Sequence, residues 1–307
     1  MSPDVVIAID LGGTALKCAL VGADGTVRHA ERHPTGAQRG PDAVVSTVLE
    51  VAEALAGKAG AEGLRPCAAG VVVPGVVDQV GGVAVWSANV GFRDVPLRRL
   101  VADRLALPAA LGHDVRAGGL AEARLGAGRD AGHVLFVAIG TGIAAAYTVD
   151  GRTLAGAHGA AGEIGHIVVR PDGPDCGCGA RGCLEAVASA AAVARRYAAL
   201  TGLEGTTAAE VAGLAAAGDP VAGTVWRDAV DALADGLLTG LALYDPEVVV
   251  VGGGLAEAGG TLLDPLRSAL RDRLTFHREP RLVPAALGDE AGCLGAALLA
   301  LEAGACG

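Results

Sequence analysis

Glu163-Ile-Gly-His166, then nine residues, then Cys176-Gly-Cys178-Gly-Ala-Arg-Gly-Cys183-Leu-Glu185: the reading of this chain turns on that stretch. His166, Cys176, Cys178 and Cys183 supply one imidazole and three sulfurs, the ligand set of a closed tetrahedral zinc site. Glycines at 177, 179 and 182 let the backbone wrap tightly around an ion. Closing such a loop needs no distant part of the chain. Cys176 and Cys178 are too close in sequence to bridge each other without strain, which argues against a disulfide reading. Glu163 and Glu185 bracket the ligands. A metal knot flanked by acids predicts an ion that holds carboxylates in place for a polar ligand.

The composition is that of an enzyme rather than of a nucleic-acid or membrane protein. The 307 residues allow one large or two medium domains with an ample core. Against 24 Lys and Arg stand 34 Asp and Glu, a net charge of -10, which disfavours binding to nucleic acid or to an anionic membrane. Met1-Ser-Pro-Asp4 carries no basic segment followed by an apolar run, and no apolar stretch approaches the ~18 residues of a membrane span. A cytoplasmic location is expected. Of the seven cysteines, three belong to the metal motif; Cys18, Cys67, Cys293 and Cys306 read as reduced, mostly buried thiols.

Strands and helices alternate along the chain. Val5–Ile9 is an apolar strand running into Asp10-Leu-Gly-Gly-Thr14; Leu16–Val21 continues as a second strand. Pro41–Lys58 reads as a helix with Val44, Val48, Val51 and Leu55 on one face. Ala68–Val73 is a buried strand, and helices are expected over Pro96–Leu105 and Asp114–Leu125. Val134–Ile139 leads into Gly140-Thr-Gly142, and Ala144–Val149 resumes as a strand. Helices follow over Glu185–Leu200, Thr207–Ala217 (opened by a Thr207/Glu210 capping box) and Pro220–Tyr244. Val248–Val251 enters Gly252-Gly-Gly254, and helices over Leu262–Leu274 and Ala291–Ala303 end the chain. This predicts an α/β fold with mainly buried sheets.

A weak repeat lies inside that order. Strand, Asp10–Thr14, strand is echoed about 130 residues later by strand, Gly140–Gly142, strand. Two such hairpins facing one another would offer backbone N–H groups and Thr hydroxyls to one anion, a phosphate clamp built of nests. Asp10, at the end of its strand, is placed to hold Mg²⁺ directly or through water.

These motifs together resemble the ROK family of sugar kinases, within the actin-like ATPase superfamily. The resemblance covers nearly the whole chain. It rests on Asp10–Thr14 with Lys17, Pro74-Gly75, Asn89-Val-Gly91, Asp114, Gly140–Gly142, Glu163–His166, the Cys176–Glu185 segment and Gly252–Gly254. It implies two ribonuclease-H-like α/β domains with an interdomain cleft: a small domain of residues 1–113 plus 291–307, and a large domain of 114–290 carrying the zinc motif. It makes Asp114 the base that takes the proton of the attacking sugar hydroxyl. Asn89, His113, Glu163, His166 and Glu185 become sugar contacts, suited to hydroxyls that both donate and accept. Asp10, Gly12, Gly13, Thr14, Lys17, Gly140, Thr141, Gly142, Gly253 and Gly254 become contacts of the nucleotide and its phosphates. Zinc on His166, Cys176, Cys178 and Cys183 is structural, since four protein ligands leave no open position.

Three features depart from the family pattern. His113 stands where an Asn usually precedes the base, which predicts altered sugar selectivity and pH dependence around the ~6.5 reference of imidazole. Arg116 replaces a small or amide residue, two places after the base. Ile143-Ala-Ala-Ala146 replaces glycines, a change a strand tolerates.

Other classes fit less well. A sugar-responsive repressor would carry a helix-turn-helix ahead of Asp10, where nine residues stand. A dinucleotide-binding reading of Gly252-Gly-Gly254 fails because Glu257 occupies the third glycine position, and no P-loop motif is present. The resemblance therefore implies transfer of phosphate from ATP, with Mg²⁺, to a hexose. Glucose, giving glucose 6-phosphate, is the first choice. Another hexose, an N-acetylhexosamine, a polyphosphate donor or a catalytically weak sugar sensor are the alternatives. A homodimer or homotetramer is expected.

Overall fold

The computed structural model describes residues 2–304. Its elements, in chain order, are β1 (Asp4–Leu11), β2 (Ala15–Gly22), β3 (Val27–Pro34), α1 (Pro41–Ala61), β4 (Arg65–Val73), β5 (Val76–Asp78), β6 (Val83–Ser87) and β7 (Phe92–Val95). Next come α2 (Leu97–Leu105), β8 (Ala109–His113), α3 (Asp114–Arg124), β9 (His133–Ile139), β10 (Ile143–Val149) and β11 (Arg152–Thr153). Then follow α4 (Leu184–Ala188), α5 (Ala190–Thr201), α6 (Ala208–Ala216), α7 (Pro220–Tyr244), β12 (Val248–Gly252), α8 (Gly260–Arg271), β13 (Arg281–Pro284) and α9 (Ala291–Glu302).

Two sheets repeat one plan. The first has the order β3-β2-β1-β4-β8, the second β11-β10-β9-β12-β13. In each, an antiparallel hairpin (β1–β2, β9–β10) lies beside parallel strands (β1–β4–β8, β9–β12–β13). The repeat read from the two Gly/Thr turns is thus a repeat of whole sheets, and the chain consists of two α/β units of the ribonuclease-H-like kind. The first compact unit runs to Ala121 and adds Thr153–Ala161 and the chain from Asp289; the second holds Glu122–Arg152 and Gly162–Gly288. A small antiparallel sheet of β5, β6 and β7 belongs to the first.

Each unit has its own core. In the first, Val5, Ile7, Ile9 and Leu11 of β1 join Val44, Val48 and Leu55 of α1. Alternate positions of β1 thus face α1, as a strand's period of two requires. In the second, Val249 and Val251 of β12 and Leu135, Val137 and Ile139 of β9 pack with Leu233 and Leu237 of α7. Burying each such side chain contributes about 1.5–3 kcal/mol.

Local chemistry sets the helix ends. The Thr207–Glu210 capping box forms in both directions. One helix expected over Glu185–Leu200 is instead two. Ser189 adopts an extended backbone, and its hydroxyl accepts the Ala192 N–H, so it caps α5 rather than continuing α4. The freed Ala190 N–H donates to Gly140 O at 2.9 Å. Cys18 and Cys293 are buried free thiols. Cys67 departs from the reduced state expected of it and is disulfide-bonded. Cys306 lies outside the described residues. Among the described residues, no helix is long and apolar enough to cross a membrane.

Candidate functional site

In the first unit, the antiparallel pairing of β1 and β2 sets Asp10 opposite Lys17. The turn between them is closed by Gly12 N–H to Ala15 O at 2.9 Å and braced by Thr35, whose hydroxyl donates to Gly12 O at 2.6 Å. Thr14 is exposed at the tip. Asn89, in the turn between β6 and β7, lies against this loop: a side chain on Gly13 would meet the Asn89 Cβ at 3.3 Å. Lys17 Nζ donates to Asp289 Oδ1 at 2.8 Å, and Arg32 donates to the other oxygen at 3.0 Å.

Asp10 packs against the first turn of α9, where a side chain at Gly292 would come within 2.3 Å of its carboxylate. Burial first, then the negative charge of Asp114, raise the Asp10 pKa from 3.8 to about 6, while Lys17 works in the opposite direction. A cation would relieve that unfavourable ionisation. The linkage sign follows from the raised folded value. Stability is unaffected below about pH 4, falls as pH rises towards 6, and stays reduced above. Asp10→Asn is therefore expected to raise the melting temperature of the metal-free protein above pH 6. The gain should be on the order of 2 kcal/mol after allowance for partial exposure, and should fade towards pH 4. Thermal melts of both proteins at several pH values check this; a variant less stable at pH 7.5 would contradict it.

Asp114 opens α3 directly after β8. Its Oδ1 accepts the Val115 N–H at 2.7 Å, and its side chain keeps 27% exposure. His113 is buried and caps the helix: the Arg116 N–H donates to His113 Nδ1 at 3.4 Å. The same nitrogen lies 3.3 Å from Asp114 Oδ1. Burial, opposed by Asp114 and reinforced by Arg116, lowers the His113 pKa from 6.5. This corrects the expected titration around 6.5: a neutral ring prevails there, and protonation moves to more acidic pH. Arg116 itself is 3% exposed and turns its Nη1 to Gly159 O at 2.7 Å.

In the second unit, the Gly140–Gly142 turn joins β9 to β10, with Gly140 N–H donating to Gly142 O at 2.9 Å. Thr141 is exposed, and a side chain at Gly140 or Gly254 would meet nothing within 4 Å, so both glycines leave open space. Gly253 is required by shape instead. Its φ is 82°, and a Cβ there would sit 2.5 Å from Ile139 O. Glu185, on α4, reaches this turn: its Oε2 accepts the Ile143 N–H at 2.9 Å and fills the space a Gly142 side chain would need.

The four expected metal ligands converge. The candidate ligand atoms of His166, Cys176, Cys178 and Cys183 all lie within 4.8 Å of one another. Cys178 and Cys183 sulfurs are 3.7 Å apart, and Cys176 Sγ is 3.6 Å from His166 Nδ1. A tetrahedron with Zn–S bonds of ~2.3 Å places its sulfurs about 3.8 Å apart, so the donors fit that ion. The other imidazole nitrogen, Nε2, faces Glu163 Oε2 at 4.0 Å. The loop is also held without metal. A bridge pairs Val168 with Cys183, the Val169 and Arg170 N–H groups donate to Gly182 O, and Arg170 Nη1 donates to Asp235 of α7 at 2.6 Å.

Sequence reasoning missed four supporting residues. Thr35 braces the first hairpin. Asp289 pairs with Lys17 from 272 positions away. Asp235 anchors Arg170. Fully buried Glu122 accepts N–H groups from Ala127, Ala286 and Leu287 at 2.7–3.1 Å. Only the burial of an acid inside the amphipathic pattern of α3 could have pointed to Glu122.

The family model described as "ROK family" matches residues 6–303. A glucokinase of Thermotoga maritima is 33% identical, covering 97% of this chain and 97% of its own. The crystal structure of a ROK hexokinase from Thermus thermophilus is similar with a TM-score of 0.87 and 35% identity, covering 98% of this chain and 99% of the other. A ROK family glucokinase from Streptomyces griseus, in complex with glucose and AMPPNP, is similar with a TM-score of 0.82 and 31% identity, covering 97% and 99%. With sheets, hairpins and Cys/His cluster in agreement with a match of this length, the chain belongs to the ROK family.

Proposed function

We propose that this protein transfers the γ-phosphoryl group of ATP to the primary hydroxyl of glucose, giving glucose 6-phosphate and ADP. The observation that carries the reading is Asp114: a part-exposed carboxylate at the head of α3, within electrostatic reach of Asp10 and the hairpin that Asp10 begins. Asp114 takes the hydroxyl proton as the new O–P bond forms and the bond to the ADP oxygen breaks. Asn89, His113, Glu163, His166 and Glu185 bind the sugar hydroxyls. Exposed Thr14 and Thr141, with the backbones of Gly12, Gly13, Gly140 and Gly142, bind phosphate; Gly253 and Gly254 lie along the nucleotide. Lys17 contributes once its pairing with Asp289 is shared with phosphate. Asp10 would hold Mg²⁺, which when bound neutralises charge on the transferring phosphate. His166, Cys176, Cys178 and Cys183 would hold zinc, which when bound would order the segment that carries Glu163 and Glu185.

The relatives named above support glucose and ATP. The test is ADP release measured with glucose, mannose, fructose, allose, N-acetylglucosamine and N-acetylmannosamine, each with ATP and with polyphosphate. Glucose with ATP should give the highest kcat/KM. Absence of sugar-dependent ADP release across the panel would overturn the kinase reading, and a higher value for another sugar would reassign the substrate.

A further inference from the structure

Arg116 is the residue that the catalytic reading leaves without a task. It lies two positions after the proposed base, yet its guanidinium is buried and turned to the carbonyl of Gly159. Gly159 belongs to Thr153–Ala161, an excursion of the chain that groups with the first unit before the chain continues at Gly162 in the second. That segment has little regular structure. Gly156 and Gly159, and Gly162 just after it, carry positive φ, and Ala161 N–H to Ala155 O at 3.1 Å folds it on itself. Gly159 is also pressed against β5, where an added Cβ would sit 2.9 Å from Val77 O. Four residues beyond Gly159 comes Glu163, and three further His166.

Burying a guanidinium costs free energy, and the charged hydrogen bond from Nη1 to the Gly159 carbonyl offsets part of that cost. An Asn or Gln at 116 would be shorter than Arg and carry no charge. We infer that Arg116 is a positioning residue: it docks the Thr153–Ala161 segment onto α3 and so fixes the lead-in to the sugar-contact residues Glu163 and His166. It acts through Gly159 and touches no reacting atom. The inference rests on the proposed sugar-kinase reading for its kinetic consequence, but the docking itself does not depend on that reading.

The experiment pairs kinetics with hydrogen exchange on the full-length protein, comparing wild type, Arg116→Ala, Arg116→Met and Arg116→Lys. Met keeps bulk without a donor, and Lys restores one charged donor. In Arg116→Ala and Arg116→Met, amides of residues 153–161 should exchange at least ~10-fold faster, the scale of one lost charged hydrogen bond. The sugar KM should rise by about the same factor while kcat changes less than about threefold. Arg116→Lys should recover most of both effects. If Arg116→Ala does not fold, the comparison of Met with Lys carries the test. Unchanged exchange over 153–161 in Arg116→Met would overturn the docking. A fall in kcat with unchanged KM would overturn the positioning role in favour of one in the chemical step. A wild type without sugar-dependent turnover would refute the kinase reading alone, and the exchange comparison would still decide the docking.

Discussion

Asp114→Asn should lower kcat by at least ~10²-fold while sugar affinity stays close to that of the wild type, because the substitution removes the proton acceptor and little else. The geometry makes the variant a clean one. Asn Oδ1 can still accept the Val115 N–H that Asp114 Oδ1 accepts at 2.7 Å, so the start of α3 is retained. The Arg116 N–H can still donate to His113 Nδ1, although that nitrogen loses the carboxylate charge 3.3 Å away. Loss of the Asp114 charge also removes one of the influences that raise the Asp10 pKa, so Asp10 ionises more readily in the variant. Metal binding there should be preserved. Turnover is read by ADP release and sugar binding by calorimetry. A variant with near-normal kcat would remove Asp114 from the role of base. A variant that loses sugar affinity with kcat intact would make it a sugar ligand instead.

Much of this arrangement was legible in the sequence because its signals are local. The candidate metal ligands fall within eighteen positions of one another, and a loop of that length closes without help from the rest of the fold. The β-branched run of β1 and the two Gly/Thr turns announced both hairpins, and the capping box of α6 formed as written. What stayed hidden was long-range or one-atom chemistry. No local pattern tells that Asp289 will meet Lys17, or that Glu185 will accept an N–H from Ile143. The single helix expected from Glu185 onward follows from an alanine-rich periodic run. Periodicity does not register that one serine caps a second helix. His113 shows the same limit. Its type announced a titration near neutrality, whereas burial and the adjoining guanidinium, visible only in three dimensions, hold it neutral to lower pH. Arg116 was noticed as a departure, but its turn towards Gly159 depends on where residues 153–161 pack.

Cys178→Ser should abolish stoichiometric zinc and raise the sugar KM by at least ~10-fold, the lower end of what disturbed metal sites lose. Wild-type protein, freshly purified without chelator, should carry about one zinc per chain. Serine offers a harder, protonated oxygen in place of a thiolate. The Ala180 backbone N–H aimed at Cys178, the largest influence on that thiol, lowers its pKa and favours the ligating form. Three remaining donors would hold the ion weakly. The consequence should be local, because the loop keeps metal-independent ties: the Val168–Cys183 bridge, the Gly182 carbonyl accepting from Val169 and Arg170, and the Arg170–Asp235 pair. The first unit, with a core of its own, should keep its fold. Disorder should instead reach His166, whose Nδ1 faces Cys176, and through it Glu163, 4.0 Å from Nε2. It should also reach Glu185, two residues after Cys183, and the Ile143 N–H that Glu185 accepts at 2.9 Å. Elemental analysis gives the metal content, hydrogen exchange over 163–185 gives the loop order, and kinetics give the sugar KM. Metal-free wild-type protein with full activity would sink the zinc assignment. Zinc loss with unchanged sugar KM would keep the ligand assignment but deny the ion any part in holding Glu163 and Glu185.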